Sequence, residues 1–84
     1  MYYAYVLRSL HDHKLYIGYT DNLTRRYEQH QKGLVTSTKC RLPVKLIFYE
    51  AYQNKYDALR RESYLKTDKG KKTLQVMLRE YFNN

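Results

Sequence analysis

Five side chains have the types that a phosphodiester-cleaving site requires. They are two phenols, a guanidinium, an imidazole and a carboxylate: Tyr5, Tyr16, Arg26, His30 and Glu62. A guanidinium can hold a phosphate by two parallel hydrogen bonds and stabilise charge in the transition state, and a histidine can transfer a proton near neutral pH. The residue types therefore point to phosphate-ester hydrolysis if the fold brings them together.

The elements that must position these side chains follow from the hydrophobic pattern. Strands are predicted at 2–10 and 15–20, joined by the polar connection 11–14, and a third at 44–51. Helices are predicted from Asp21 or Asn22 to Gly33 and from Asn54 to about Lys66, with a loop at 34–43 between the first helix and the third strand. A basic turn at 67–71 then precedes a last amphipathic helix, about 72–82, whose apolar stripe is Leu74, Met77, Leu78 and Tyr81. The order ββαβαα predicts an α+β domain with a three-stranded antiparallel sheet covered by helices.

The two phenols lie on the predicted hairpin. Side chains alternate along a strand, and a hairpin centred on residues 11–14 puts Tyr16 opposite Ser9, with Tyr5 further along the same face. Any other register in which the numbers of paired residues add to an odd value keeps both phenols on one face, and an even value separates them. The sequence does not decide the register. Gly18, beside Tyr16, is predicted to leave room for a ligand backbone. Cross-strand tyrosines that only pack beneath a helix are the structural alternative.

The first helix carries the guanidinium and the imidazole. Arg26 and His30 are four residues apart and share a face, with Arg26 at the edge of the buried side set by Leu23 and Tyr27. Arg25, one position round, is predicted to be solvated. Taken alone, His30 reads as a structural surface histidine near a helix end.

Glu62 is the most informative single residue. It projects from the apolar stripe formed by Ala58, Leu59 and Leu65. A carboxylate on a core face is costly unless it is paired or binds a metal. Two partners could compensate the charge of Glu62: Arg26 in an ion pair, or a bound divalent cation. Mg²⁺ suits the second, because it often takes one or two carboxylates together with water and substrate phosphate.

The charge favours a polyanionic partner. Sixteen basic residues against eight acidic ones give a net charge of +8, which favours nucleic acid first and an anionic membrane second. A solvated basic surface is the plain alternative. The predicted phosphate contacts lie in the loop, at the start of the third strand and near the basic turn: Lys39, Arg41, Lys45, Lys66, Lys69, Lys71 and Lys72.

Length and composition favour one domain spanning 1–84 in the cytoplasm. The 84 residues leave too little chain for a second core, and no apolar run approaches the roughly 20 residues that cross a bilayer. The first residues lack a secretory pattern, and the lone Cys40 favours a reducing compartment. Flanking Lys39 and Arg41 could activate this thiol, but an incidental loop cysteine is the simpler reading.

The spaced residues resemble the GIY-YIG nuclease superfamily, in particular its small stand-alone bacterial members. Tyr3-Ala4-Tyr5 stands where the first motif belongs, and Tyr16-Ile17-Gly18 matches the second. Arg26 and His30 follow at family-like spacing, and Glu62 in the run 58–62 resembles the metal-binding glutamate. The loop segment 37–46 also resembles the stand-alone subgroup, and the likeness extends over about 2–66.

The resemblance implies a fold and a set of roles. It implies the ββαβαα fold and one-metal hydrolysis of DNA, with Mg²⁺ or Mn²⁺ held by Glu62. Tyr5 would be the general base, Tyr16 would position the water, Arg26 would stabilise the phosphate, and His30 would support proton transfer. Since family nucleases usually carry a DNA-binding domain, this chain would recognise DNA shape itself or rely on a protein partner for targeting.

Three functions are compatible with these observations. The first is a metal-dependent DNA endonuclease, with repair or recombination intermediates as candidate substrates. The second is a nucleic-acid-binding module that keeps the fold and the basic face but cleaves poorly. The third is a protein-interaction domain whose charge only aids solubility.

Overall fold

The strands and helices of the computed structural model follow the predicted order, and all 84 residues are described. The strands are β1 (Tyr2–Ser9), β2 (Leu15–Thr20) and β3 (Val44–Tyr52). The helices are α1 (Leu23–Gln31), α2 (Lys55–Leu65), α3 (Asp68–Met77) and the short α4 (Arg79–Phe82), with a 3₁₀ turn at Lys39–Arg41. The α+β fold with a three-stranded antiparallel sheet is therefore confirmed.

Strand β1 is the centre of the sheet. The strand order is β2-β1-β3, and β1 pairs antiparallel with both neighbours. Four consecutive residues of β1, Ala4–Leu7, are buried, as expected for a strand covered on both faces. Val6 and Ile17 pack against Leu65 and Leu74 of α2 and α3 on one face.

The opposite face of the sheet packs against α1. Its buried residues are Tyr5, Leu7 and Val44, which lie against Leu23 and Tyr27 of the helix. Tyr5 thus belongs to the layer between β1 and α1. This placement brings the first predicted catalytic side chain next to the helix that carries two others.

The hairpin register differs from that of a hairpin centred on residues 11–14. Tyr16 lies opposite Leu7 rather than Ser9, and Tyr5 lies opposite Gly18. The turn closes earlier because the His13 N–H donates to the Ser9 carbonyl at 2.9 Å and His13 adopts a left-handed φ of 64°. The shift is an even number of residues, so both phenols still face α1.

The predicted helix boundaries hold at the first two helices. The Asn22 side chain accepts from the Arg25 N–H at 3.1 Å, and Asn54 accepts from the Tyr56 N–H at 2.8 Å. Gly33 follows α1 with a φ of 74°, which is the left-handed conformation predicted for the helix end.

The C-terminal prediction was wrong. Residues 68–71 are the first turn of α3 rather than a basic turn, because the Thr67 hydroxyl caps the helix by accepting from the Gly70 N–H at 3.0 Å. The helix breaks at Leu78, so no single helix runs over 72–82. Met77, predicted in the apolar stripe, is 44% exposed. None of the helices is long and apolar enough to cross a membrane.

Gly18 makes room for Tyr5 rather than for a ligand. A Cβ at Gly18 would lie 2.5 Å from both Cζ and the hydroxyl oxygen of Tyr5, because the phenol ring lies across β2 at this position. The predicted space for a ligand backbone is filled by the protein's own side chain. The glycine therefore determines where the Tyr5 hydroxyl can lie.

We predict that Gly18→Ala displaces the Tyr5 hydroxyl and lowers the free energy of unfolding by about 1–3 kcal/mol, the usual cost of overpacking a core. Denaturant unfolding and a ¹H–¹⁵N spectrum would measure the two effects. Gly33→Asn is the control for the spectrum: it replaces a glycine with a left-handed φ whose Cβ would contact Leu42 and not Tyr5, so it should leave the Tyr5 resonances unchanged. Unchanged stability together with unchanged resonances at Tyr5 would contradict this packing.

Candidate active site

Tyr5 and His30 form a buried pair between β1 and α1. The Tyr5 hydroxyl lies 2.9 Å from His30 Nε2, and the two side chains are 1% and 0% exposed. The reading of His30 as a surface histidine was therefore wrong. Its position on α1 turns the imidazole toward the sheet, where β1 supplies the phenol as its partner.

Tyr16 completes a cluster of three rings. Its ring centroid lies 5.2 Å from that of His30 and 6.4 Å from that of Tyr5. Tyr16 is only partly buried, whereas its two neighbours are enclosed. Of the two phenols, Tyr16 is thus the one more open to solvent.

Thr38 is the residue that sequence reasoning missed. Its hydroxyl oxygen lies 2.7 Å from His30 Nδ1, and its side chain is 1% exposed. Both ring nitrogens of the imidazole are consequently hydrogen-bonded. The only signal in the sequence was a hydroxyl-rich loop, in which nothing distinguishes Thr38 from Thr36 or Ser37.

The environment keeps both members of the buried pair neutral near pH 7. Burial lowers the pKa of His30 to about 4, with a further contribution from the Arg26 guanidinium. Burial also raises the pKa of Tyr5 above its ordinary value, with Tyr16 and Glu62 acting in the same direction and Arg26 in the opposite one. A neutral phenol beside a neutral imidazole can pass a proton without either group being charged at rest.

Arg26 lies near this pair without an acidic partner. Its guanidinium is half-buried and donates to Gln29 Oε1 at 3.2 Å, and it forms no ion pair. The predicted alternative of an ion pair with Glu62 is not formed. Arg25 is exposed, as predicted. The positive charge of Arg26 is therefore free to bind an anion.

Glu62 is mostly buried and pairs with a lysine on its own helix. Its Oε2 lies 3.2 Å from Lys66 Nζ, and the glutamate side chain is 18% exposed against 55% for the lysine. An exposed lysine at this spacing holds a carboxylate weakly. Its negative charge also contributes to the raised pKa of Tyr5.

Glu62 could bind a metal only as a single protein ligand. No group of three or more histidine, cysteine, aspartate or glutamate side chains could hold an ion by itself. A metal would take one carboxylate from Glu62 and its other ligands from water and the substrate. Mg²⁺ accepts this arrangement, so the residues fit one such ion.

Two of the predicted phosphate contacts line one cavity. Arg41 and Lys71 converge with Lys14, which sequence reasoning did not select, at a cavity of about 400 Å³ completed by Leu15 and Gln75. Lys66 pairs with Glu62. The other predicted contacts are exposed and lie outside this cavity: Lys39, Lys45, Lys69 and Lys72.

The chain belongs to the GIY-YIG family. The family model described as the GIY-YIG catalytic domain matches residues 1–75. This range contains the five predicted catalytic residues, which are Tyr5, Tyr16, Arg26, His30 and Glu62. The family predicted from the motifs is thus confirmed.

Relatives and a solved structure agree with this assignment. A UPF0213 protein of Pediococcus pentosaceus is 48% identical over 62 residues, which are 73% of this chain and 64% of that protein. A UPF0213 protein of Clostridium perfringens is 38% identical over 92% of this chain and 83% of its own length. The solution NMR structure of a UPF0213 protein from Bacillus halodurans matches with a TM-score of 0.57 and 31% identity, covering 92% of this chain and 85% of that one.

The low pKa of His30 predicts a pH-dependent stability. The unfolded chain takes up a proton on His30 as the pH falls from 6.5 toward about 4, whereas the folded chain does not. The contribution of His30 to the free energy of unfolding is fully present above pH 6.5. We expect about 3 kcal/mol of that free energy to be lost by pH 4. Denaturant unfolding between pH 4 and pH 6.5 should show that the free energy of unfolding changes less with pH in His30→Gln than in the wild type.

His11→Gln is the matched control for this measurement. His11 is exposed, so its variant should keep the wild-type dependence on pH. Parallel curves for the wild type and His30→Gln would contradict the assignment of a buried, neutral imidazole.

Proposed function

We propose that the protein is a metal-dependent endonuclease that hydrolyses a phosphodiester bond in DNA. The observation that carries this proposal is the neutral Tyr5–His30 pair, hydrogen-bonded at 2.9 Å, beside the unpaired guanidinium of Arg26. Tyr16 packs against both rings of the pair, and the charge of Glu62 contributes to the raised pKa of Tyr5. Membership of the GIY-YIG family supports the nuclease class, and the net charge of +8 supports a nucleic-acid substrate.

The buried pair divides the proton transfer between two groups. As water attacks phosphorus, the Tyr5 oxygen takes a proton from that water and the Tyr5 hydroxyl proton passes to His30 Nε2. The raised pKa of Tyr5 requires this coupling, since a free phenolate is disfavoured at rest. Since solvent does not reach His30, the imidazolium later returns its proton through the Tyr5 oxygen to water at the site, which restores the pair.

The remaining residues act on the phosphate and the water. Arg26 binds the non-bridging oxygens, where negative charge grows in the transition state. The partly exposed hydroxyl of Tyr16 orients the attacking water. Glu62 would hold one Mg²⁺ or Mn²⁺ ion, which supplies charge stabilisation at the leaving oxygen when it is bound.

The substrate class and setting extend the same proposal. We take repair or recombination intermediates as the candidate DNA structures and the cytoplasm as the location. The cavity at Lys14, Arg41 and Lys71 would contact phosphates that flank the cleaved bond. A protein partner would supply any further targeting.

A nucleic-acid-binding module without efficient cleavage is the second candidate. Two observations favour it: Tyr5 is only 1% exposed, and Glu62 forms an ion pair with Lys66. An enclosed phenol limits the access of water, and a paired carboxylate weakens its hold on a cation. The basic surface would be retained in either case.

Cleavage of a panel of nicked, flapped and branched DNAs with Mg²⁺ or Mn²⁺ separates the two candidates. We expect Glu62→Ala and Arg26→Ala each to reduce the cleavage rate by about 10²-fold or more, because each removes charge stabilisation at the phosphate. The exposed residues Glu80 and Arg25 supply the controls Glu80→Ala and Arg25→Ala, which should cleave at the wild-type rate. Cleavage that survives both site substitutions, in folded protein, means that the site is misassigned.

Salt dependence tests the proposed flanking contacts separately. Replacing Lys14, Arg41 and Lys71 together by glutamine should weaken DNA binding and reduce the slope of log K against log salt by about 2–3, while leaving Mn²⁺ affinity unchanged. Glutamine at the exposed positions Lys32, Lys55 and Arg79 is the matched charge control and should reduce the slope less. Equal slopes in the two triple variants would overturn the assignment of this cavity to DNA.

A further inference from the structure

His30 is held at both ring nitrogens by groups from different parts of the chain. Tyr5 of β1 lies at Nε2 and Thr38 of the loop after α1 lies at Nδ1, at 2.9 Å and 2.7 Å. All three side chains are at most 1% exposed. Solvent does not reach the imidazole ring, so His30 exchanges protons only with its two hydroxyl partners.

A neutral imidazole carries one N–H, so the two bonds run in one of two directions. In one tautomer Nδ1–H donates to Thr38 and Nε2 accepts from the Tyr5 hydroxyl. In the other, Nε2–H donates to the Tyr5 oxygen and Nδ1 accepts from Thr38. Only the first leaves a lone pair on Nε2 that can receive the Tyr5 proton.

The chemistry of the two hydroxyls favours the first direction. A phenol is a stronger acid than an aliphatic alcohol, so Tyr5 is the better donor and Thr38 the better acceptor. The second direction would make the phenol oxygen accept and the alcohol donate, which opposes both preferences. Neither hydroxyl has another recorded hydrogen bond, so each direction leaves one hydroxyl hydrogen without an acceptor. The first direction leaves that of Thr38, the weaker donor, and the second leaves that of Tyr5.

The loop that carries Thr38 is fastened to the strand that carries Tyr5. The Ser9 hydroxyl at the end of β1 donates to the Arg41 carbonyl at 2.6 Å, and the Leu10 N–H donates to the Pro43 carbonyl at 2.8 Å. The Arg41 N–H in turn donates to the Thr38 carbonyl at 2.9 Å. These bonds set the distance between the phenol and the alcohol on either side of the imidazole.

We propose that Thr38 is a positioning residue that accepts from His30 Nδ1–H and so keeps Nε2 free to take the proton of Tyr5. Thr38 touches neither the substrate nor the water and acts only through His30. Its catalytic consequence rests on the proposed nuclease function, whereas the tautomer it imposes does not.

The tautomer is measured without DNA. Long-range ¹H–¹⁵N correlations of the His30 ring should show a protonated Nδ1 and an unprotonated Nε2 in the wild type, with the exposed His11 and His13 as internal references. Thr38→Val, similar in shape but without the hydroxyl, should shift His30 toward protonation at Nε2, and Thr38→Ser should restore the wild-type pattern. A wild type protonated at Nε2, or a valine variant with an unchanged tautomer, would overturn the proposal.

Kinetics then test the consequence for cleavage. With a DNA that the wild type cuts, Thr38→Val should lower kcat about 10- to 100-fold with KM little changed, a smaller loss than removal of an acid–base group itself. Thr38→Ser should recover most of the rate. An unchanged kcat in the valine variant contradicts the proposal, whereas a wild type that cuts no DNA contradicts the nuclease function and leaves the NMR result to decide the role of Thr38. If Thr38→Val does not fold, the wild-type tautomer alone decides.

Discussion

The hydrogen bond between Tyr5 and His30 is the interaction on which the rest of the site depends. It lies in the layer between the central strand and α1, where water is excluded and neither group is charged at rest. A phenol or imidazole buried here without a hydrogen-bond partner would lower the free energy of unfolding by about 1–3 kcal/mol for each unsatisfied group. The pair therefore joins α1 to the central strand, and in the proposed mechanism it is also the route of the proton.

Several less conspicuous features serve this one contact. Gly18 leaves the space in which the Tyr5 ring lies, and the loop after α1 brings Thr38 to the far side of the imidazole. The charged residues stand outside the enclosed layer, where Arg26 has no carboxylate partner and Glu62 has only an exposed lysine. In the proposed mechanism, the enclosed pair would move the proton, and these two charged side chains would bind the phosphate and the cation.

The sequence was sufficient for the elements from β1 to α2 and for the faces on which Tyr5, Tyr16, Arg26 and His30 lie. Alternation put Tyr5 and Tyr16 on one side of the hairpin, and this held although the register was shifted, because an even shift preserves the face. Helical spacing put Arg26 and His30 together. The caps at Asn22 and Asn54 were readable because their side chains act on backbone groups two or three residues away.

The remainder depends on contacts between distant segments. The burial of His30 follows from how α1 docks on β1, and the role of Thr38 depends on a loop that alternation and helical spacing do not describe. Lys14 reaches Arg41 and Lys71 only because the hairpin, the loop and α3 meet at one end of the molecule. The error at the C-terminus was local, since Thr67 is a sequence-readable cap whose signal was outweighed by the lysines that follow it.

A Mn²⁺ titration followed by NMR tests most directly whether these side chains form one centre, because it requires no knowledge of the DNA substrate. We expect selective paramagnetic broadening of resonances around Tyr5, Tyr16, Arg26 and Glu62, and its loss in Glu62→Ala. No selective broadening at millimolar Mn²⁺, or broadening that persists unchanged in the variant, would contradict a metal-binding catalytic centre at this site.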